Sequence, residues 1–229
     1  MQDYNDIGIS RQLDLPRVKK LLTIGLFAAV LHMTGDMILG WGVEDTALTG
    51  IFRMLSAYTG TSDGGIFAAS LLGLFGMTLE GLAFFGVYRL IAPYAPKAAH
   101  SCRAGIFGYL MFGACGFHVP MCMLVFLLKH GLADEIALRY AAYFLLPAFA
   151  LFWIFFLVLS LAQIKAFARG QTPCPRWSWV LSLPVGMLLA MLPGMCGNVP
   201  VVNALSCARI AFGNVWMFGG LLIVLRRAR

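Results

Sequence analysis

Six apolar runs, separated by short polar connections, dominate the pattern of hydrophobic and polar positions along this chain. Runs of this length are typical of membrane spans, because about 20 helical residues cross a hydrocarbon core of about 30 Å. Lipid offers no hydrogen-bond partner to a bare backbone group, so each span is expected to be helical. We predict an all-α, polytopic transmembrane helical bundle with six spans, at roughly residues 21–41, 66–91, 105–128, 141–162, 177–193 and 205–225.

Two connections between these runs have features of their own. The longest, 42–65, contains a stretch from Leu48 to Tyr58 with amphipathic spacing, which predicts a short interfacial helix. The fifth run is short and contains Pro184, and the segment after it, 194–204, has no charge. We expect that segment to be either a short turn or a partly re-entrant segment. Because no repeat is present, residues 1–229 are predicted to form a single integral membrane domain.

Composition agrees with this interpretation. Charged residues make up 12% of the chain, against about 25% in a soluble domain, and the mean hydropathy is +0.83. A net charge of +7 in a soluble protein would favour nucleic acid as a partner. Here the charges lie between the apolar runs, so we expect the lipid bilayer and no nucleic acid. The first run follows a polar stretch and has no cleavage site after it, which indicates a retained span.

The distribution of basic residues predicts the orientation in the membrane. Cytoplasmic connections carry an excess of lysine and arginine. Thirteen of the 17 basic residues lie in the N-terminal tail, the second and fourth connections, and the C-terminus. Three lie on the opposite side, namely Arg53, Lys129 and Arg139. This bias places both termini in the cytoplasm, which requires an even number of spans and agrees with six.

Five ionisable side chains lie inside the predicted spans, where such groups are rare and are candidates for function. Counted from the cytoplasmic span ends at about 1.5 Å per residue, these side chains and one asparagine fall about 17 to 24 Å deep. The six residues are His32, Asp36, Glu80, His118, Arg209 and Asn214. They predict a polar layer from the midplane into the outer half of the bundle. The layer is either a functional cavity or a structural network that joins the helices.

Charges within this layer allow specific pairs. His32 and Asp36 are four residues apart and so lie on one helix face, where the carboxylate can orient or stabilise the imidazole. Asp36 and Arg209 have similar depth and opposite sign, which allows an ion pair; breaking such a buried pair costs about 3–5 kcal/mol. Glu80 is expected to be either in an ion pair or a carboxyl group that burial keeps neutral.

Two patterns in the spans allow a metal site. His32, Asp36 and His118 are candidate metal ligands, and an ion that they hold would activate water. The third span reads Cys115-x-x-His118-x-x-x-Cys122, which places ligands for copper(I), zinc or a haem iron on one helix face. The same residue types also pack apolar helix faces, so packing is the alternative. Pro120 in this span is expected to kink the helix.

Four short motifs carry a resemblance to a known family. They are Gly35-Asp36-Met37-Ile38-Leu39, Pro175-x-Trp177, Asn203-Ala204-Leu205-Ser206 and Gly213-Asn214-x-x-Met217-Phe218. With these motifs the chain resembles an uncharacterised family of bacterial six-span integral membrane proteins, a domain of unknown function. The resemblance implies a multi-pass protein of the bacterial inner membrane and brings no known activity. It singles out Asp36 and Asn214, which also belong to the polar layer.

Three hypotheses for function follow. The first is small-molecule binding or transport through a polar cavity in the outer half, lined by the polar layer with Arg209 near its mouth. The second is a membrane-embedded, metal-dependent enzyme that acts on a lipid-like substrate. The third is a structural or partner-binding membrane protein, in which the layer joins helices. The chain has no HExxH, P-loop or CxxCH motif that would favour a known enzyme class.

Overall fold

The computed structural model describes residues 13–227, without the side chains of Met195 and Arg227, and in this range it contains helices and no strands. The helices are α1 (Leu15–Leu39), α2 (Gly50–Thr59), α3 (Asp63–Ile91), α4 (Pro96–Phe112), α5 (Val119–Lys129), α6 (Asp134–Tyr140), α7 (Leu146–Ala168), α8 (Leu183–Met191), α9 (Pro200–Cys207) and α10 (Arg209–Arg227). The all-α prediction is confirmed for this part of the chain. Arg11 and Arg229, which entered the charge count, lie outside it.

Five helical stretches in the described residues are long and apolar enough to cross a membrane. They are Leu15–Leu39, Asp63–Ile91, Pro96–Lys129, Asp134–Ala168 and Arg209–Arg226. The first four extend the predicted spans by several residues, because the helices continue past the apolar runs into polar connections. The chain therefore has the character of a polytopic membrane protein.

Helices α1 and α3 form the most extensive contact in the bundle. Glycines allow this close approach, as in other pairs of membrane helices. A Cβ added at Gly76 of α3 would lie 2.8 Å from the backbone nitrogen of His32 on α1. A Cβ added at Gly35 of α1 would lie 3.0 Å from the carbonyl oxygen of Ala69 on α3. The two backbones thus touch at the level of the polar residues.

A π turn at Ala114–His118 divides the third predicted span into α4 and α5. The carbonyl oxygen of Gly113 accepts the backbone N–H groups of both Phe117 (3.2 Å) and His118 (2.9 Å). Pro120 follows and has no N–H to continue the ladder, so the irregularity expected at the proline takes the form of a π turn before it. A second π turn, Ala141–Leu145, precedes Pro147 in the same way and joins α6 to α7.

The π turn corrects the prediction that Cys115, His118 and Cys122 share one helix face. A π turn holds more residues per turn than an α-helix, so residues on its two sides are rotated relative to an unbroken helix. His118 and Cys122 are buried, whereas Cys115 is exposed. The predicted Cys–His–Cys ligand face is therefore wrong in the structure.

The fifth and sixth predicted spans are more broken than expected. Residues 177–193 fall into a 3-10 turn (Arg176–Leu181), α8 and a second 3-10 turn (Leu192–Cys196). At the break before α8, Ser182 is the extended N-cap residue, and Pro184 lies in the first turn of α8, where its missing N–H has no helical partner to lose. The last span begins only at Arg209, because the chain bends at Ala208 and residues 200–207 form the separate helix α9.

Two asparagines join the first connection to the segment before α9. The side chain of Asn198 accepts the backbone N–H of Glu44 (2.9 Å) and donates to its carbonyl oxygen (2.8 Å). The side chain of Asn203 donates to the carbonyl oxygen of Gly42 (2.8 Å). We call α2, α9 and these two linked segments the capped end of the bundle. Helix α2 confirms the helix predicted near 48–58, and the uncharged segment 194–204 is part of this cap.

Candidate functional site

Four of the predicted polar residues meet in one buried cluster between α1, α3 and the start of α5. His32 and Asp36 lie on α1, Glu80 lies on α3, and His118 ends the first π turn. The exposed fraction of these residues is 2% for His32, 6% for Asp36, 0% for Glu80 and 5% for His118. Charged groups this deeply buried require partners, and each finds them inside the cluster.

His32 lies between two carboxyl groups. Its Nδ1 is 3.1 and 3.2 Å from the two carboxyl oxygens of Glu80. Its Nε2 is 3.2 Å from Oδ2 of Asp36, one helical turn along α1. The predicted contact of His32 with Asp36 is therefore present, and Glu80 adds a second acceptor from the neighbouring helix.

His118 faces a backbone carbonyl on one side and the same aspartate on the other. Its Nε2 is 3.0 Å from the carbonyl oxygen of Ala69, and its Nδ1 is 3.4 Å from Oδ1 of Asp36. Gly73 makes room for the ring, because a Cβ there would lie 1.9 Å from Nε2. The thiol of Cys122 is 3.8 Å from the same nitrogen. Asp36 thus bridges two imidazoles.

Tyr109 of α4 extends the cluster towards α10. Its hydroxyl donates to Oε2 of Glu80 (2.6 Å) and accepts from the side-chain N–H of Asn214 (3.1 Å). Both residues are fully buried, and the side-chain oxygen of Asn214 has no hydrogen-bond partner in the structure. A chain of polar contacts therefore crosses the bundle from Asn214 on α10 to His118 beside α5.

Sequence reasoning did not single out Tyr109. The signal was present in the sequence, since a tyrosine in the middle of an apolar span buries a hydroxyl that requires a partner. Its ring packs edge-on against Phe84 and tilted against Phe152, which holds the hydroxyl over Glu80. Gly73 and the carbonyl of Ala69 were also missed, because a search for polar side chains does not find glycine or alanine.

Arg209, the sixth residue of the predicted layer, lies apart from this cluster. Its guanidinium donates to the carbonyl oxygen of Ser206 (2.8 Å) at the end of α9. Among the described residues, Asp36 pairs with His32 and His118 and not with Arg209. The bend before α10 explains the difference, because it places Arg209 at the first residue of that helix, at the capped end.

Tyr58 and Cys207, at the capped end, interact electrostatically with both Arg209 and Asp36. Burial raises the pKa of the Tyr58 phenol and of the Cys207 thiol, and the negative charge of Asp36 acts in the same direction on both. Both groups therefore stay protonated near neutral pH. Asp36 is thus a member of the cluster whose charge acts on side chains at the capped end.

The hydrogen-bond roles of the two imidazoles point to a metal site. The carbonyl of Ala69 accepts only, so Nε2 of His118 carries a hydrogen and Nδ1 of the neutral ring carries a lone pair towards Asp36. When the ring of His32 is neutral and donates from Nδ1 to Glu80, the lone pair of its Nε2 likewise faces Asp36; when the ring is protonated, both nitrogens donate to carboxylates instead. Lone pairs that face a carboxylate repel it unless a proton or a cation lies between them. The second acceptor on each ring is also typical of metal-ligating histidines.

The distances between the candidate ligand atoms suit a small cation. Ligand atoms about 2.0–2.1 Å from a tetrahedral ion lie about 3.3 Å apart. The two imidazole–carboxylate distances are 3.2 Å, from His32 to Oδ2 of Asp36, and 3.4 Å, from His118 to Oδ1. All three ligand atoms, one each from His32, Asp36 and His118, lie within 4.8 Å of one another. The structure therefore brings the three predicted metal ligands together, and binding would draw the two imidazoles closer.

One comparison with known proteins gives a match. The model of a family of unknown function (DUF6796) matches residues 2–228, which is nearly the whole chain. The comparison with curated proteins gives no match. The comparison with solved structures also gives none.

Proposed function

The chain belongs to this family of unknown function, and we propose that it is a membrane-embedded metalloprotein that binds a divalent transition-metal ion through His32, Asp36 and His118. The observation that carries the proposal is the pair of imidazole nitrogens that face one carboxylate while the opposite nitrogens face fixed acceptors. Two histidines and one carboxylate suit zinc or iron(II).

The activity that this site favours is metal-dependent hydrolysis of a lipid-like substrate. Three protein ligands leave at least one position for water, as in catalytic zinc sites, and a bound ion makes that water a nucleophile near neutral pH. Glu80 and the Ala69 carbonyl orient the two imidazoles. Because the ligands lie among candidate membrane-spanning helices, an apolar substrate has the shortest route to them.

Metal analysis of the purified full chain tests the site. After incubation with zinc, copper or iron(II) and removal of free ions, we expect about one ion per chain. Replacement of His118 by alanine should lower the retained metal at least tenfold, because one ligand is lost. His130→Ala is the matched control, since this exposed histidine pairs with Asp63 outside the cluster.

Two results would decide against metal binding. If the chain retains well below one equivalent of every metal offered, the cluster is a polar network that joins helices, which is the structural alternative. If His130→Ala lowers the retained metal as much as His118→Ala, the metal is bound non-specifically at histidines.

Small-molecule binding or transport is the second candidate function. It is favoured by the position of Asp36, which lies in the last turn of α1, beside the capped end. Because no residue of the cluster is more than 6% exposed, the helices would have to rearrange for either function, to pass a solute or to admit a lipid-like substrate. Uptake of the metal into sealed vesicles by the full chain, and its loss in His118→Ala, would favour transport over hydrolysis.

We also propose six spans, with α8 and its flanking 3-10 turns as the fifth, and both termini on the cytoplasmic side of the inner membrane. At about 1.5 Å per α-helical and about 2.0 Å per 3-10 residue, residues 176–196 reach about 35 Å if they are collinear. Close packing on α10 supports this path: a Cβ at Gly213 would lie 2.7 Å from the carbonyl oxygen of Leu183. The indole of Trp216 donates to the carbonyl oxygen of Val180 (2.9 Å).

Labelling of the two chain ends tests the number of spans. In a cysteine-free chain, Ser10→Cys and Ala228→Cys should both react with a membrane-impermeant maleimide only after the cells are opened. Five spans would place the two ends on opposite sides, so labelling of one end in intact cells would contradict the six-span proposal.

A further inference from the structure

A cavity of about 720 Å³ lies at the end of the bundle opposite the capped end, between α1, α3 and α4. This volume is in the range of ligand-binding sites. Four basic side chains lie around its rim, namely Arg17, Arg89, His100 and Arg103. The described lining includes no acidic residue. We call this cavity the basic groove.

The order of residues along each helix gives the groove one charged part and one apolar part. On α1, Arg17 is followed one turn deeper by Leu21. On α3, Leu82 lies about two turns deeper than Arg89, at about 1.5 Å per residue. On α4, Phe107 lies one turn deeper than Arg103. All three helices therefore present a cation at the bundle end and an apolar side chain about 6 to 10 Å further in.

The apolar part of the groove is open to its surroundings. The exposed fraction is 47% for Leu82 and 54% for Phe107. A ligand that matches this pattern has an anionic head at the bundle end and a hydrocarbon chain that runs into the bundle. Basic pockets between membrane helices recognise the head groups of anionic lipids in this way.

We propose that the basic groove binds one anionic phospholipid, with its phosphate beside Arg17 and Arg89 and one acyl chain along Leu21, Leu82 and Phe107. In the orientation proposed above, this lipid belongs to the cytoplasmic leaflet. The site is independent of the histidine cluster, since the two share no residue.

Competition between lipids tests the proposal. The purified full chain is mixed with equal amounts of phosphatidylglycerol and phosphatidylcholine, and the retained lipid is counted by mass spectrometry. We expect preferential retention of phosphatidylglycerol, and a loss of about 30-fold in Arg17→Gln/Arg89→Gln, because each basic residue contributes a factor of about five to six. The control, Lys165→Gln/Arg169→Gln, removes two exposed charges at the end of α7 and should retain the lipid as the unmodified chain does.

A second variant tests the apolar part without changing the charge. Ala104 lines the groove and is exposed, so Ala104→Trp should fill it and release the lipid while the arginines stay in place. The proposal would be overturned if Arg17→Gln/Arg89→Gln and the control Lys165→Gln/Arg169→Gln lose lipid equally. It would also be overturned if the unmodified chain retains phosphatidylglycerol and phosphatidylcholine equally.

Two further arms separate the lipid from other occupants. Inorganic phosphate at millimolar concentration should not displace the lipid; if it does, the groove recognises phosphate alone and the acyl chain plays no part. A chain without residues 2–12, which include Asp3 and Asp6, should retain lipid as the full chain does. If only the shortened chain retains it, the N-terminal segment is the occupant and the lipid proposal is wrong.

Discussion

Replacement of Glu80 by alanine is expected to lower the free energy of unfolding by about 3–5 kcal/mol, as for other buried charged networks that lose one member. Glu80 is completely buried and accepts from two groups on two other helices, Nδ1 of His32 and the hydroxyl of Tyr109. Alanine would leave both donors without an acceptor in an apolar bundle. It would also disconnect α3 from α4 at this level.

The measurement is the reversible unfolding of the purified chain in mixed micelles of a mild detergent and dodecyl sulfate. Glu135→Ala is the control, because this exposed glutamate pairs with Arg139 at the surface (2.6 Å) and its loss should change stability little. Glu80→Gln keeps the volume and one acceptor oxygen, so its stability should fall between those of the other two variants. A Glu80→Ala chain as stable as Glu135→Ala would show that the cluster does not hold these helices together.

Replacement of Gly73 by alanine is expected to lower metal retention at least tenfold and to destabilise the chain. A Cβ at this position would lie 1.9 Å from Nε2 of His118, so the imidazole must leave the carbonyl of Ala69 and carry Nδ1 away from Asp36. Overpacking of this kind costs about 1–3 kcal/mol. Alanine is favoured over glycine in a helix by about 1 kcal/mol, which offsets only part of that cost.

Gly64→Ala is the matched control for this substitution. Gly64 lies on the same helix, and a Cβ added there meets no atom within 4 Å. Its stability should be equal or slightly higher, and its metal content unchanged. Metal analysis and the same unfolding titration provide both measurements. If Gly73→Ala keeps its metal, His118 is not held by the contact described above.

The sequence predicted the members of the cluster better than their arrangement. His32 and Asp36 could be placed on one face because a spacing of four residues fixes their direction within a single helix. Depth placed Glu80, His118 and Asn214 at a similar level, but depth carries no information about which way a side chain points. The spans are apolar on nearly all sides, so no polar face marks the side of each helix that meets its neighbour.

Local backbone irregularities account for the remaining differences. The π turn before Pro120 rotates Cys115 away from His118; the proline predicts an irregularity there but not its form. The bend at Ala208 removes Arg209 from the layer, although its position in the sequence suggested a shared depth with Asp36. In both cases the assumption that failed was one regular, uninterrupted helix through the span.

The candidate ligands and the asparagines of the capped end are synthesised at different times, because the chain is made from its N-terminus. Among the described residues, the side chains that pair or hydrogen-bond with the two imidazoles belong to the first 122 residues, from His32 to Cys122. The asparagines that close the capped end, Asn198 and Asn203, are made some 80 residues later. During synthesis the three candidate ligands are therefore complete while the cap above them is still missing. In the proposed metalloprotein, an ion would thus be able to reach the ligands before the last helices are made.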